Sequence, residues 1–386
     1  MKLLFQILVL ALFAIVFSPM IGVTPLVFMG VAMVLAVAVS FDPVMGKLLF
    51  AGVINLTELS TELSSMFKVE SGLPKKWFYD TDILLRKYAR RITQVNGKWI
   101  APLGLMTNVV QGFSNTWTAL GELKIVDKVL EPWPLKVNFP IDPTTIEGSY
   151  LSWANEETRK LEDRSISRYI VEFLNEKIID DINELSISGV YDAPTKNTVF
   201  GASMDGIVEV ITQAVAATLV GPTSESVYLI KLAAATSNNI VARVIAFEKG
   251  IPEKMKTKVK RIFMSTANAE DYAIQYEQAY GAMVTHNEQK NYLSKIGKRE
   301  IVGIPNAAMG DLIFAFAEGN LLELVDLNDV PKIHDVQVLN YEVKIFAEAK
   351  LGYDFAINAA VFVGDTTITD NGLQDADLNL QFYNLV

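Results

Sequence analysis

Two histidines, His286 and His334, are the residues from which catalytic chemistry would have to start. A Ser-His-Asp triad needs one of them, and the sequence contains no G-x-S-x-G nucleophile motif. His334 stands beside Asp335 at the start of a predicted strand, which is typical of a loop or strand-edge histidine. A multi-histidine zinc site is not available, and the motif H-E-x-x-H is absent. We therefore assign no catalytic, cofactor-binding or metal-binding residue, and we predict that the chain is not an enzyme.

Carboxylates near the C-terminus suggest a second kind of chemistry, because oxygen ligands close to a glycine turn suit calcium. The set is Asp365, Asp370, Asp375 and Asp377, around Gly372. Its spacing does not match the twelve-residue calcium loop, which needs acidic or amide side chains at alternate positions before the glycine. A solvated acidic segment is the favoured interpretation of residues 364–386. No phosphate-binding glycine loop is found elsewhere.

The charge balance argues against nucleic-acid recognition. The 386 residues carry 34 Lys and Arg against 44 Asp and Glu, a net charge of −10. A protein that grips phosphates needs clustered cations, and the one basic cluster, residues 254–261, is short. We interpret it as a solvated helix or strand edge. The absence of cysteine excludes disulfides, thiolate metal sites and cysteine nucleophiles.

The apolar residues are concentrated at the N-terminus, and they raise the mean hydropathy to +0.27. No charged residue occurs from position 3 to 41, and up to position 57 the charges are Lys2, Asp42 and Lys47. A signal peptide is disfavoured because the small residues that could form a cleavage site lie too far downstream. A membrane hairpin would use residues 3–17 and 26–41, both shorter than the ~20 residues that a span needs. The third interpretation, an arm buried when subunits assemble, is favoured because so large an apolar surface does not stay exposed on a soluble monomer.

One long helix organises the rest of the chain. Apolar residues step by threes and fours and predict a helix over residues 156–185, with Asn155 as N-cap and Gly189 as the stop. The predicted apolar stripe contains Ile166, Tyr169, Ile170, Phe173, Leu174, Ile178, Ile179, Ile182 and Leu185. We call this element the spine helix.

Extended structure is predicted before the spine helix, and alternating helices and strands are predicted after it. Residues 75–150 are rich in tryptophan and proline, with a strand at 135–139 that Pro140 should end. Helices are expected at 207–220 and 238–249. A third helix, capped by Asn268, should carry Tyr272, Tyr276 and Tyr280 as a packing stripe until Gly281 stops it. Strands are expected at 259–264, 301–304, 312–316, 321–327, 341–345 and 355–363, the last stopped by Gly364. The fold class is therefore α+β.

This order of elements resembles the major capsid proteins of tailed bacteriophages with the Hong Kong 97 fold. The phrases that carry the resemblance are IPEK at 251–254 leading to KRIFMS at 260–265, IVGIP at 301–305, GNLL at 319–322 and FAEAKLGY at 346–353. The resemblance covers roughly residues 75–363. The lysine, asparagine and glutamate that cross-link subunits in some relatives have no match here, and the apolar N-terminus departs from the charged segment that relatives usually carry.

The resemblance implies a Hong Kong 97-like capsid fold with a long spine helix, an extended loop, and peripheral and axial domains. The expected divisions are a hydrophobic N-terminal arm (1–57), a connecting helix (58–74), the extended loop (75–150), a peripheral domain with the spine helix (151–200), an axial domain (201–310), peripheral return strands (311–363) and the acidic C-terminal tail (364–386).

The function implied by the resemblance is a shell protein that assembles with itself, as hexamers and pentamers, into an icosahedral virion head in the host cytoplasm. Minor capsid or decoration proteins and the portal are the further partners expected, and double-stranded DNA would be enclosed without sequence-specific binding. Two alternatives remain open from the sequence: a membrane-anchored binding protein with an N-terminal hydrophobic hairpin, and an encapsulin-type compartment shell.

Overall fold

The structure is a computed structural model that describes residues 56–70, 72–79, 83–106, 109–120, 123–142, 165–236, 238–281, 291–327, 332–339 and 342–383. Predictions for the hydrophobic arm lie outside the described residues, except for Leu56 and Thr57. The described residues belong to two compact units. One lies within Met1–Ser71, Asn138–Glu176 and Asp335–Phe346, and the other within Gly72–Val137, Lys177–His334 and Ala347–Val386. The features analysed below belong mainly to the second unit.

The predicted helices occur in order, but the connecting helix predicted at 58–74 ends at Val69, and the helices Leu73–Tyr79 and Ala376–Tyr383 were not predicted. They are α1 (Leu56–Val69), α2 (Leu73–Tyr79), α3 (Ile166–Ser188), α4 (Ile207–Val220), α5 (Ile240–Gly250), α6 (Glu253–Lys256), α7 (Thr266–Tyr280) and α8 (Ala376–Tyr383). Short 3-10 turns occur at Leu85–Lys87, Ala307–Met309 and Asn358–Ala360.

The strands are β1 (Arg90–Ile92), β2 (Trp99–Met106), β3 (Leu123–Leu130), β4 (Trp133–Ile141), β5 (Tyr228–Lys231), β6 (Arg261–Ser265), β7 (Tyr292–Leu293), β8 (Glu300–Ile304), β9 (Phe314–Phe316), β10 (Leu321–Val325), β11 (Lys332–Leu339), β12 (Glu342–Phe355) and β13 (Val361–Asp365). One sheet has the order β1-β10-β12-β11, with β4 also paired to β12. A six-stranded sheet has the order β5-β13-β9-β6-β8-β7, and β2 and β3 form a separate hairpin. The chain is thus an α+β protein.

The spine helix is α3, which ends before Gly189, as predicted. It begins at Ile166, so the prediction of a helix that runs from residue 156 is wrong at Ser165, which is not helical and whose hydroxyl accepts a hydrogen bond from the N–H of Arg168 at 3.2 Å. Residues 155–164 lie outside the described residues. The apolar stripe is confirmed at Ile170, Leu174, Ile178, Ile182 and Leu185, which are 3–7% exposed. The stripe prediction is wrong at Phe173, which is 58% exposed and stacks on Tyr169 with ring centroids 6.5 Å apart. The helical period alone does not separate the centre of a buried stripe from its border.

The six-stranded sheet is covered by helices and is buried on both faces at its centre. Ile262 and Met264 of β6 point into a core built with α5 and α7, which includes Phe247 and the fully buried Tyr272. Phe263, which points to the opposite face, stacks between Phe314 and Phe316 at centroid distances of 5.1 and 4.9 Å. This burial on both faces explains why β6 has a continuous apolar run rather than an alternating pattern.

The C-terminal end and the tyrosine stripe of helix α7 were predicted correctly, and its N-terminal cap was not. Gly281 ends the helix at a φ of 62°, as predicted, because glycine adopts the left-handed conformation without a Cβ clash. The prediction that Asn268 caps the helix is wrong: the cap is Ser265, whose hydroxyl accepts a hydrogen bond from the backbone N–H of Asn268. The tyrosine stripe is packing, as predicted. Tyr272 contacts Tyr276, which contacts Tyr280.

Two strand predictions were wrong because of neighbours distant in sequence. The predicted strand 355–363 is two strands, β12 and β13, separated by a 3-10 turn, and Gly364 lies inside β13 rather than ending it. A Cβ at Gly364 would stand 2.3 Å from Leu232 Cδ1, so a larger residue would require that side chain to move. Pro140 lies inside β4 and does not end it. Among the described strands β4 pairs with β12 alone, and a strand paired on one side tolerates the missing N–H of proline.

A buried salt bridge joins Glu248 of α5 to Arg299, which are 2% and 7% exposed. Arg299 Nη1 lies 2.9 Å from Glu248 Oε1, and the remaining guanidinium nitrogens donate to the carbonyl oxygens of Val259 and Lys256. The hydroxyl of Ser294 and the N–H groups of Ile296 and Gly297 also donate to the Glu248 carboxylate. One carboxylate thus fixes the loop before β8 against α5.

A second buried carboxylate, Glu323 of β10, holds the chain that leads into the β2–β3 hairpin. Its two oxygens accept from Arg86 Nε at 2.7 Å and from Arg91 Nε at 2.8 Å, and Oε1 also accepts from the Tyr353 hydroxyl at 2.9 Å. Arg86 donates further to the carbonyl oxygen of Phe78. Burial raises the pKa of Tyr353 well above its ordinary value, so this hydroxyl remains a donor.

Replacing Glu323 with alanine should lower the free energy of unfolding by about 3–5 kcal/mol, because two arginines would keep their buried surroundings and lose the carboxylate between them. Thermal unfolding followed by circular dichroism measures the effect. Glu318→Ala is the matched control, since its carboxylate pairs with Lys260 at the surface, where water and salt screen the pair, and a much smaller loss is expected. Equal losses in the two variants would contradict the structural role of Glu323.

Candidate interaction surface

The histidines do not form a site in the described part of the chain. His334 is the third residue of β11, and His286 lies outside the described residues. Among the described residues no group of three or more histidine, aspartate or glutamate side chains is placed to hold a metal ion.

The C-terminal carboxylates make local hydrogen bonds. Asp365 accepts from the N–H and the hydroxyl of Thr367 at 2.6 Å, and Asp375 accepts from the N–H of Leu378 at 2.9 Å. The prediction that this whole segment is solvated is wrong at Leu373 and Tyr383, which are 0% and 7% exposed. Leu373 and Tyr383 belong to the apolar core of the six-stranded sheet, so apolar burial holds the segment against that core.

The basic cluster at 254–261 is largely neutralised within the chain. Lys256 pairs with Glu253, Lys260 pairs with Glu318, and Arg261 Nε lies 2.8 Å from Glu300. These lysines and this arginine belong to α6, the following loop and the start of β6, which agrees with the predicted helix or strand edge. Paired cations do not provide the counterion release that drives binding to a phosphate backbone.

The β2–β3 hairpin is the main feature that projects apolar residues. Its strands pair antiparallel from Trp99 opposite Leu130 to Met106 opposite Leu123. At the base, Lys128 Nζ donates to Asp354 at 2.6 Å and to Asn358 at 2.8 Å. Two hairpin residues, Ala101 and Leu130, join a core with Val95, Leu322 and Leu324. The base is therefore rigidly attached to β10 and β12.

Residues 109–120, which we call the hairpin tip, expose large apolar side chains. Val110, Phe113 and Trp117 are 89%, 97% and 88% exposed. No charged residue occurs between Lys98 and Glu122. Within the tip, Gln111 Nε2 donates to the carbonyl oxygen of Thr118 at 2.8 Å. An uncharged tip with exposed aromatic side chains is typical of a surface that another molecule covers.

A cavity of about 950 Å³ lies beside the base of the hairpin. Its apolar floor is the buried stripe of α3, with Ile178, Ile182 and Leu185. The first residues of β4 and residue Glu131 before them form one wall, the loop 191–203 forms the opposite wall, and β12 contributes Glu348 to Lys350. We call this space the spine cavity.

Aromatic residues shape the mouth of the spine cavity. Trp133 of β4 stacks on Tyr191 with ring centroids 4.1 Å apart and planes 28° apart. Lys196 lies over the Tyr191 ring at 5.6 Å and donates to its hydroxyl at 3.3 Å. Val199 and Phe200, which also line the cavity, are 54% and 53% exposed. The mouth thus combines exposed apolar surface with polar groups.

The loop that forms this wall is closed at its ends by two glycines. The N–H of Gly206 donates to the carbonyl oxygen of Gly189 at 2.8 Å, and the N–H of Tyr191 donates to the Asp205 carboxylate at 2.8 Å. Burial raises the pKa of Asp205 above its ordinary value. The backbones approach so closely that a Cβ at Gly189 would lie 2.4 Å from the carbonyl oxygen of Met204. The loop therefore has a fixed shape.

Sequence reasoning did not identify the hairpin tip or the spine cavity as functional. The signal for the tip was available: an uncharged stretch containing Phe113 and Trp117 within the predicted extended region 75–150. No sequence signal identified the cavity, because Trp133 lies far along the chain from Ile182 and Tyr191 and meets them only in the fold.

No protein-family model matches this sequence, and no curated protein matches it. Among solved structures, the chain is similar to the satellite phage P4 procapsid with its size determination (Sid) protein, at 13% identity and a TM-score of 0.46, covering 76% of this chain and 98% of that one. It is also similar to the capsid of Myoviridae phage XM1, at 10% identity and a TM-score of 0.47, covering 73% and 91%. A virus-like particle from Pyrococcus furiosus is similar at 10% identity and a TM-score of 0.40, covering 77% and 98%. These are capsids and capsid-like particles, the class that the sequence resembles.

In the described part of the chain, no helix is long and apolar enough to cross a membrane.

Gly189→Ala should lower the free energy of unfolding by about 1–3 kcal/mol, because the new methyl group would overlap the backbone oxygens of Met204 and Leu185. Denaturant unfolding measures the change. Gly221→Ala is the matched control, since nothing lies within 4 Å of its Cβ position. If Gly189→Ala were as stable as Gly221→Ala, the fixed shape of the loop would be contradicted.

Proposed function

We propose that this chain is the subunit of a self-assembling icosahedral shell, the major capsid protein of a tailed bacteriophage. The observation that carries the proposal is the hairpin tip, in which Val110, Phe113 and Trp117 are held in solvent at the end of a rigidly based hairpin. A soluble monomer would leave this apolar surface in water, whereas self-assembly would bury it in every subunit.

The order of elements supports the same function. A long hairpin precedes the spine helix, a helix-covered sheet follows it, and the chain returns through β12 to the sheet that holds the hairpin base. This is the order that the resemblance to capsid proteins implies. We propose accordingly that residues 75–150 form the extended loop, residues 151–200 and 311–363 the peripheral domain, and residues 201–310 the axial domain around which hexamers and pentamers form.

The negative net charge of the chain supports the proposal that the shell encloses DNA without binding it tightly. With a net charge of −10, and with Lys256, Lys260 and Arg261 of the basic cluster paired to carboxylates, the subunit repels a phosphate backbone more than it binds it. We propose that the shell assembles in the host cytoplasm, takes up double-stranded DNA through a portal without sequence-specific contacts, and binds minor capsid or decoration proteins from outside.

The purified full chain should form closed particles in detergent-free buffer. Negative-stain electron microscopy and light scattering would show shells, or hexamers and pentamers that convert to shells as the concentration rises. A monodisperse monomer at all concentrations would contradict the proposed function. Particles from infected cells should contain nuclease-protected DNA; protected protein cargo without DNA would instead identify a compartment shell.

A further inference from the structure

Residues 75–91 are basic within an acidic chain. They contain six basic residues and two acidic ones, whereas the whole chain has a net charge of −10. We propose that the exposed cations of this stretch, Lys75, Lys76, Lys87 and Arg90, bind the phosphate backbone of double-stranded DNA without sequence preference. We call these four residues the basic surface. The source of the DNA rests on the proposed shell function; the inference adds which part of the subunit contacts it.

The four cations are available to a ligand because nothing in the chain neutralises them. The other two basic side chains of the stretch, Arg86 and Arg91, point inward and donate to the buried Glu323 carboxylate. The side chains of the basic surface are exposed, and none of them forms an ion pair within the described part of the chain. They therefore leave a local positive potential, in contrast to the paired cations at 254–261.

Arginine hydrogen bonds bring these cations together. Arg86 Nη2 donates to the carbonyl oxygen of Phe78 at 2.8 Å, and Arg91 Nη2 donates to the carbonyl oxygen of Tyr79. Both acceptors belong to the last turn of α2, so the turn Leu85–Lys87 and β1 adjoin the helix that carries the two lysines. Sequence reasoning missed the basic surface because its cations occur as one pair and two single residues, which only these bonds place on adjoining elements.

The backbone beneath the basic surface has a fixed shape. Tyr88, which follows Lys87, packs edge-on against Phe263 with ring centroids 5.1 Å apart, and the Arg261 guanidinium lies over the Tyr88 ring at 5.2 Å. β1, which begins at Arg90, pairs in parallel with the buried strand β10. Little backbone ordering is needed when a ligand binds, which lowers the entropic cost of binding.

The composition of the basic surface favours a phosphate backbone over other partners. Apolar or aromatic side chains usually anchor a protein partner, and aromatic side chains stack on the bases of a single strand. Among the described residues from 72 to 92, no large apolar side chain is exposed. Lysine and arginine alone contact phosphates, which are the same in every sequence. The surface therefore fits the regular phosphates of a duplex.

The contact agrees with the negative charge of the whole chain. Non-specific complexes of this kind are weak, with dissociation constants of roughly 10⁻⁴–10⁻⁶ M at physiological salt. The acidic remainder of the subunit repels DNA elsewhere. A basic surface repeated in every copy would thus hold enclosed DNA weakly at many equivalent points.

Salt-dependent binding to a short duplex of random sequence tests the inference. The purified full chain, kept below the concentration at which particles form, should bind with a slope of log K against log salt of about −3 to −4, since each phosphate contact contributes about −0.9. Lys75→Gln, Lys76→Gln, Lys87→Gln and Arg90→Gln together should weaken binding at low salt by roughly tenfold or more and remove most of the slope. Fluorescence anisotropy measures both, and thermal unfolding should be unchanged because these side chains are exposed and unpaired.

The matched control replaces four lysines that pair with carboxylates: Lys98→Gln, Lys177→Gln, Lys256→Gln and Lys260→Gln. This variant has the same change in net charge, and it should keep the slope of the natural chain. Equal losses in the two variants would overturn the inference, because net charge alone would then explain the binding. The absence of duplex binding by the natural chain at low salt would overturn it as well.

Competition tests the class of partner. Poly-glutamate, added at the same concentration of charged groups, should displace less of the labelled duplex than unlabelled duplex does, because its charges are less dense. Equal displacement by the two competitors would overturn the assignment to DNA and identify an acidic protein segment as the partner. A strong preference for one duplex sequence would overturn the backbone contact.

Lysine footprinting gives a second measurement that needs no variant. Duplex DNA should protect Lys75, Lys76 and Lys87 of the natural chain from acetylation, as read by mass spectrometry, while Lys177 and Lys260 keep their reactivity. Equal protection of all five lysines would overturn the location of the site.

These outcomes are distinct from those that test the proposed function. A chain that forms particles normally but whose free subunits do not bind duplex would overturn the basic surface and leave the shell function standing. A chain that binds duplex through these residues but never forms particles would overturn the shell function and leave the basic surface standing.

Discussion

The buried carboxylate of Glu323 is the interaction on which the rest of the second unit depends. It joins Arg86 and Arg91, which lie before the hairpin, to Tyr353 of β12, more than two hundred residues later. Around it, the Tyr79 hydroxyl donates to the carbonyl oxygen of Lys350, and burial raises the pKa of Tyr79 to about 12. Loss of an arginine partner would leave a buried, unpaired carboxylate, which is strongly destabilising. The pairing therefore fixes the position at which the chain enters the hairpin.

The hairpin can project an apolar tip because its base does not move. Lys128 bonds to Asp354 and Asn358, and Leu130 packs with Leu322 and Leu324, so the base belongs to the same sheet as Glu323. The spine cavity depends on the same sheet, since β4 and β12 form part of its lining. The hairpin base and the cavity are thus both attached to the sheet that contains Glu323.

Local patterns predicted the elements that local physics controls. The apolar stripe of α3, the limits of α4 at 207–220, and the end of α7 at Gly281 were all predicted correctly, because helical period and glycine geometry act over a few residues. The errors arose where a distant neighbour decides. Gly364 packs closely against Leu232 inside β13, and Pro140 is tolerated because, among the described strands, β4 pairs on one side only. Phe173 follows the stripe period but is exposed.

The sequence alone determined that this chain is an acidic α+β protein with a long apolar-striped helix and without a recognisable catalytic motif, because composition, periodicity and the spacing of motifs are local properties. Its order of elements also indicated the capsid class. Only the tertiary structure decided that Phe113 and Trp117 are left in solvent while Trp133, Tyr191 and Ile182 enclose a cavity. The exposure of a side chain and the shape of a cavity depend on which distant segments pack together. In this chain, buried contacts such as those of Glu323 bring such segments together.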